Sequence, residues 1–290
     1  MLVWVVRASS DSCVHKTRAL NHETNQSPEN ELINHWLKGP FNACLARYYF
    51  TVARSMGSIQ MTIPAIQLQD ITLSYGKYHV IQQLNANINK GALLALIGAN
   101  GTGKSTLLKA LMGELKPLQG SIHLNGFSHQ DIAYLPQRTS LEQGFPISVR
   151  DCVAMGLWRK IGAFGLVSSE QQRHIDQALE TVGLLDMSET TLASLSGGQM
   201  QRALFARLML QDAPVILLDE PFNAVDEQTI QDLMALVKQW HRQGRTILSV
   251  LHDQELVRHF FPETLYLVNG QGTLGNTAEI LKQYHPSWAA

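Results

Sequence analysis

The stretch GANGTGKS, from Gly98 to Ser105, limits the folds open to this chain more than any other feature of its sequence. It fits the pattern GxxxxGK[ST], an apolar run over 92–97 precedes it, and a helix-like run over 106–111 follows it. A buried strand, a glycine-rich turn and a helix N-terminus in this order bring several backbone N–H groups onto phosphate oxygens. The sequence therefore predicts an α/β fold around a phosphate-binding loop, with an ordinary glycine-rich turn before a helix as the alternative.

The residue types in this loop fit phosphate chemistry. Glycine lets the backbone turn tightly, Lys104 is expected to reach the β- and γ-phosphates, and the Ser105 hydroxyl is expected to ligate magnesium. Upstream, Tyr75 has a ring that can stack on an adenine, although a tyrosine packed on a sheet is the alternative. The residues of the loop predicted to bind nucleotide are Gly98, Ala99, Asn100, Gly101, Thr102, Gly103, Lys104, Ser105 and Thr106.

The composition excludes several classes of protein. A formal net charge of −1 argues against a strongly basic surface, so we expect no nucleic-acid partner. No apolar run approaches the ~18 residues needed to span a bilayer. The cysteines Cys13, Cys44 and Cys152 are far apart and odd in number, which favours neither a disulfide framework nor a zinc site and predicts a reducing compartment.

Residues 1–60 differ from the rest of the chain. They contain the polar stretch NHETNQSPENE and apolar residues without a sustained period. We expect either a dispensable extension or an upstream start assigned by mistake. The second is favoured, because strand-like alternation begins directly after Met61. The predicted domain is therefore 61–290.

A second anion site is predicted at LSGGQ, where Ser196 and Gln199 have the spacing of a capping box at the start of a helix. Gly197 and Gly198 lie in the first turn, where glycine lowers helix propensity. Glycine is useful there if another group must approach the backbone closely. The capping-box pattern also occurs at Ser168 or Ser169, which indicates a further helix.

Polar residues follow two buried strands farther along the chain. One strand ends at the adjacent pair Asp219 and Glu220, which point in different directions on an extended chain. One carboxylate can hold the magnesium shell while the other orients water. A later strand ends near His252, for which we predict a phosphate contact, and Asp226 is expected to cap a helix. In α/β proteins such strand ends lie at the edge where ligands bind.

The region 137–165 is predicted to be irregular. It carries the exposed-looking aromatics Phe145, Trp158 and Phe164, which suit a hydrophobic groove for a partner helix. Their alternative role is to cover the core.

Taken together, Tyr75, GANGTGKS, Gln137, LSGGQ, LLDEP, NAVD and His252 resemble the ATP-binding subunits of ABC transporters. The resemblance covers about 66–281. It implies a P-loop NTPase fold of the ABC ATPase type, which has a mixed sheet core, an antiparallel β subdomain and a helical subdomain over about 138–212. It also implies binding of ATP and magnesium.

The resemblance implies roles that the residues alone leave open. Two copies would face each other head to tail, so that Ser196 and Gly198 of one copy contact the γ-phosphate held by the other. Glu220 would be the general base, and His252 would steady the γ-phosphate. The remaining implied assignments are γ-phosphate sensing by Gln137, a magnesium shell of Ser105, Gln137 and Asp219, nucleotide contacts from Gly197 and Gln199, and a crossing loop that contains Asp226.

Within the family, YLPQRTSLEQGFPISVRDCVAMG and LLDEPFNAVDEQT look like the ATPases of zinc and manganese importers, with an unusual Asn223. The expected partners are a second copy, membrane permease subunits and, indirectly, an exported metal-binding protein. The expected location is the cytoplasmic face of the inner membrane, peripherally bound. The alternatives are the ATPase of an iron-chelate or cobalamin importer or another ABC transporter, and a soluble ABC ATPase scaffold without transport.

Overall fold

The computed structural model describes residues 63–137, 146–162, 165–223 and 225–284. These residues belong to one compact unit, Thr62–Ala290. The extension 1–60, the start at Met61 and the aromatics Phe145 and Phe164 lie outside the described residues.

Two sheets are present in the described part of the chain. Strands β1 (Ile66–Tyr75), β2 (Tyr78–Ile88) and β4 (Gln119–Leu124) form an antiparallel sheet in the order β2-β1-β4. The strands of the larger sheet are β3 (Leu93–Ile97), β5 (Ile132–Leu135), β6 (Val215–Asp219), β7 (Thr246–Val250), β8 (Glu263–Val268) and β9 (Gln271–Asn276). They have the order β5-β6-β7-β3-β8-β9 and are parallel except for β9, which is antiparallel to β8.

The parallel strands form because their short apolar runs can be covered on both faces. Along β6, Val215 and Leu217 join one hydrophobic cluster, with the antiparallel sheet and the helix after β3. Ile216 and Leu218 join a second cluster on the opposite face. This alternation confirms the sequence prediction of buried strands, and it fixes which side chains reach the carboxyl edge of the sheet.

The described helices are α1 (Lys104–Leu111), α2 (Val149–Ala154), α3 (Trp158–Ile161), α4 (Ser169–Thr181), α5 (Gly197–Gln211), α6 (Glu227–Arg242), α7 (Gln254–Phe260) and α8 (Thr277–Tyr284). The predicted capping boxes are confirmed at the starts of α4 and α5, where Ser168 pairs with Gln171 and Ser196 pairs with Gln199. Asp226 caps α6, as predicted, by accepting a hydrogen bond from the Thr229 N–H.

The prediction of irregular structure over 137–165 is wrong for the part that the structure describes. Ser148 caps α2, a 3₁₀ turn (Met155–Leu157) follows, and α3 ends at Ile161. Val149, Cys152 and Val153 of α2 are fully buried. Helical spacing was therefore present in the sequence, but six residues are too few to show a period.

Candidate functional site

A cavity of about 790 Å³ lies at the carboxyl edge of the parallel strands. Four neighbouring strands deliver residues to it, because parallel strands end on the same side of a sheet. The phosphate-binding loop follows β3, Gln137 follows β5, Glu220 follows β6 and His252 follows β7. The lining residues are Val80, Asn100, Gly101, Gly103, Lys104, Ser105, Thr106, Gln137, Glu220, Asn223 and His252.

The glycines of the loop are required by its geometry. Gly101 and Gly103 have φ of 81° and 101°, in the left-handed region that favours glycine. A Cβ on Gly103 would lie 2.7 Å from Val80 Cγ1. Gly103 is also the N-cap of α1 and supplies no side-chain hydrogen bond, so no side chain at that position competes with a phosphate for the first N–H groups of the helix. The loop therefore fits an anion at a helix N-terminus.

Lys104 is the cation of this site, and only 6% of it is exposed. Its ammonium donates to the carbonyl oxygens of Gly98 and Ala99, at 2.9 and 3.0 Å. Burial lowers the pKa of Lys104, while the charges of Glu220 and Asp219 act in the opposite direction. These two hydrogen bonds hold the Lys104 ammonium against the phosphate-binding loop, beside the space that phosphates would fill.

Asp219 presents a buried carboxylate next to the loop, with 3% of the residue exposed. Its Oδ2 accepts a hydrogen bond from the Tyr134 hydroxyl at 3.3 Å, and its Oδ1 is buried without a hydrogen-bond partner. Burial raises the pKa of Asp219, and the neighbouring Ser105 side chain opposes that effect. A buried carboxylate oxygen without a partner, beside a serine hydroxyl, fits the oxygen-ligand set that magnesium prefers.

Tyr134 is a residue of this site that sequence reasoning missed. Burial, together with the neighbouring Asp219 carboxylate, raises its pKa. A signal was available, because a tyrosine inside a short apolar strand usually has a polar partner for its hydroxyl. The sequence gives no indication that this partner is Asp219.

Glu220 is surrounded by donors from three segments. Its Oε1 lies 2.6 Å from His252 Nε2, and its Oε2 accepts from Gln137 Nε2 at 2.5 Å and from Asn223 Nδ2 at 3.3 Å. The backbone of Glu220 has φ of 52°, which is uncommon for a residue other than glycine. Asp219 and Glu220 contact different partners, as predicted, but the predicted extended backbone ends at Asp219, because Glu220 lies in the left-handed region. Gln137, predicted in the magnesium shell, instead donates to Glu220 here.

Other predicted site residues lie away from the cavity lining. Tyr75 is the last residue of β1, is 48% exposed and does not line the cavity. In the LSGGQ stretch, Ser196 caps α5 and 197–199 form its first turn, and none of these residues lines the cavity. A Cβ on Gly198 would lie 3.1 Å from Asp226 Oδ2, a close contact with the end of a side chain in the same chain.

In the part of the chain that the structure describes, none of the helices combines the length and the apolar composition of a membrane span. The same part of the chain holds no cluster of three or more His, Cys, Asp or Glu side chains arranged to bind a metal.

The fold and this cavity define an α/β protein of the P-loop nucleotide-binding class. The model of the ABC transporter family matches residues 81–223. The zinc transport system ATP-binding protein TroB of Treponema pallidum is 38% identical over 216 residues, which are 73% of this chain and 81% of that protein. The manganese transport system ATP-binding protein MntB of Bacillus subtilis is 35% identical, over 70% of this chain and 82% of that protein.

Solved structures agree with this similarity. An inward-facing metal-chelate type ABC transporter matches with a TM-score of 0.68 at 34% identity, over 75% of this chain and 85% of that one. The dimeric bacterial ABC transporter cassette MJ0796 matches with a TM-score of 0.63 at 26% identity, over 73% of this chain and 98% of that one. The chain belongs to the ATP-binding subunits of the ABC transporter family and is an ATPase.

Proposed function

We propose that this chain is the ATP-hydrolysing subunit of a membrane importer of divalent metal, zinc or manganese. The metal assignment rests on relatives that are named for zinc transport, TroB and AdcC of Streptococcus pneumoniae, and for manganese transport, MntB. The hydrolysis rests on one observation: Lys104 and Glu220 line one cavity, and the Asp219 carboxylate lies close enough to influence the Lys104 charge.

The chemistry assigned to these residues is positioning and charge neutralisation. The amides of 98–106 and the Lys104 ammonium would bind the β- and γ-phosphates, and Ser105 and Asp219 would hold magnesium. Magnesium, when bound, neutralises charge on the phosphate oxygens. Glu220 would accept a proton from water as the water oxygen bonds to the γ-phosphorus and the bond to the ADP oxygen breaks. His252 would steady the γ-phosphate.

The proposed assembly contains a second copy of the chain, because Ser196 at the start of α5 offers an anion site outside the cavity of its own chain. The dimeric MJ0796 structure bound to ADP and phosphate is a precedent. Permease subunits would dock on the helical region that contains α2, α3 and α4 (149–181), where Met155, Trp158, Leu166 and Val167 expose apolar surface. An exported metal-binding protein would deliver the metal. The chain would then lie on the cytoplasmic face of the inner membrane.

Glu220→Gln tests both parts of the proposal, the role of Glu220 in ATP hydrolysis and the import of metal in cells. The purified variant is expected to bind ATP with wild-type affinity and to turn over at least about 10²-fold more slowly, which is the scale for loss of a positioned base. In cells from which the gene has been deleted, the wild-type gene should restore zinc or manganese uptake and the variant should not. Near-normal turnover would disprove the role of Glu220, and uptake that survives the gene deletion would disprove the metal assignment.

A further inference from the structure

Asn223 holds the carboxylate of Glu220 from within the same turn. Its side-chain amide donates to Glu220 Oε2, and its backbone N–H donates to the Glu220 carbonyl oxygen, each at 3.3 Å. Gln137 and His252 reach the same carboxylate from the loops after β5 and β7. Among these donors, Asn223 is therefore the one that moves together with Glu220.

The carboxylate has room to take a wrong orientation. Glu220, Asn223 and His252 line the cavity of about 790 Å³ and also a second cavity of about 210 Å³. Glu220 thus borders two spaces. Without its donors, the carboxylate can rotate towards the smaller space, which Phe222 and Leu256 line among others.

The three donors differ in what else they can do. A carboxylate offers about four acceptor positions, and the contacts above fill three of them, so one is left for a water proton. Gln137, Asn223 and His252 all line the space that phosphates would occupy. Under the proposed function His252 steadies the γ-phosphate, and the family resemblance gives Gln137 a γ-phosphate contact, whereas Asn223 has no assigned contact with the nucleotide. If Gln137 and His252 turn to the nucleotide, Asn223 is the donor that stays on Glu220.

We propose that Asn223 is a positioning residue for ATP hydrolysis: its amide keeps the Glu220 carboxylate aimed into the nucleotide cavity when Gln137 and His252 engage the phosphates. This inference rests on the proposed role of Glu220 as the base. Asn223 acts only through Glu220 and takes no proton itself.

The test is a kinetic comparison in the full-length protein. Asn223→Ala removes the amide, and Asn223→Leu removes it while keeping a side chain of similar size. Both variants are expected to lower kcat about tenfold, which is the effect of losing one hydrogen bond to a charged group. The KM for ATP and the affinity for ATP should stay within about twofold of wild type. The matched control is Asn85→Ala, which removes an amide that donates to the Asp70 carboxylate in the antiparallel sheet and should leave kcat unchanged.

A second measurement separates positioning from a purely structural role. In a Glu220→Gln background the base is absent, so adding Asn223→Ala should slow turnover no further. Wild-type kcat in both Asn223 variants would overturn the inference, as would an undiminished tenfold loss in the Glu220→Gln background. Fast turnover in Glu220→Gln alone would instead refute the proposed base, which distinguishes the two failures.

Discussion

At the scale of single residues, Asp219 shows how the fold keeps a charge where solvation is poor. Only 3% of Asp219 is exposed, and one carboxylate oxygen has no hydrogen-bond partner. Burial raises the pKa of the carboxyl group above its ordinary value of 3.8. In the pH range between the ordinary and the raised pKa, the folded state binds more protons than the unfolded state. The free energy of unfolding therefore falls as pH rises through that range and stays reduced above it.

Asp219→Asn is accordingly expected to stabilise the protein at neutral pH when nucleotide and magnesium are absent. The gain should be about 1–3 kcal/mol, the scale for relieving a poorly satisfied buried polar group, and it should shrink as pH falls towards 4. Urea unfolding at several pH values measures it. Asp186→Asn, at an exposed position, is the control and should change the free energy of unfolding by less than about 0.5 kcal/mol. A gain that is absent at neutral pH, or that is the same at pH 4, would contradict this account.

The sequence predicted some residues of the cavity and not others for a physical reason. Lys104 was predictable from the pattern GxxxxGK[ST]. Glu220 and His252 were predictable because each follows a buried strand, and strand ends of a parallel sheet meet at one edge. Tyr134 and Asn223 were not, because their part in the site depends on side-chain hydrogen bonds to Asp219 and Glu220. Such contacts depend on side-chain orientation in three dimensions, which spacing along the chain does not specify.

At the scale of elements, Gly156 sets the packing of the helical region against α5. A Cβ at this position would lie 2.3 Å from the Arg207 carbonyl oxygen and 2.9 Å from Leu210 Cβ. Both atoms belong to the body of α5, so neither can yield without moving the helix. The 3₁₀ turn that joins α2 and α3 therefore approaches α5 as closely as it does only because residue 156 has no side chain.

Gly156→Ala is expected to lower the free energy of unfolding by about 3 kcal/mol, the upper part of the range for overpacking a core. Gly76→Ala is the comparison. At Gly76 nothing lies within 4 Å of the added Cβ, but φ is 59°, so only backbone strain of about 1 kcal/mol is expected. Chemical denaturation of both variants measures the two losses in the free energy of unfolding. Equal losses would show that strain rather than contact with α5 governs this position.

Elements were predictable from sequence where a local signal was strong. The strands β3, β6 and β7 are runs of five buried residues, and α4 and α5 begin with capping boxes that the sequence displays. The helices α2 and α3 have six and four residues and are held by contacts with distant elements such as α5. A helix of that length has little stability of its own and shows no clear hydrophobic period, so the local sequence does not predict it.

At the scale of the whole molecule, the two predicted anion sites lie in different places. The phosphate-binding loop opens into the large cavity, whereas Ser196 caps α5 and does not line that cavity. The start of a 15-residue helix attracts negative charge, and LSGGQ provides no lysine for it. Under the proposed function, one complete site needs Lys104 from one copy and Ser196 from the other.

Mixing two inactive variants tests this composite site. Lys104→Ala removes the phosphate contact, while Ser196→Asp keeps a good helix cap but sets a negative charge against the partner's γ-phosphate. Each variant alone should be inactive. In an equal mixture about half of the dimers are mixed, and each mixed dimer has one intact site of two, so about a quarter of wild-type ATPase activity should return. If the mixture hydrolyses ATP no faster than the separate variants, Lys104 and Ser196 do not complete a site between copies. If Ser196→Asp alone is fully active, the start of α5 does not contact the phosphates.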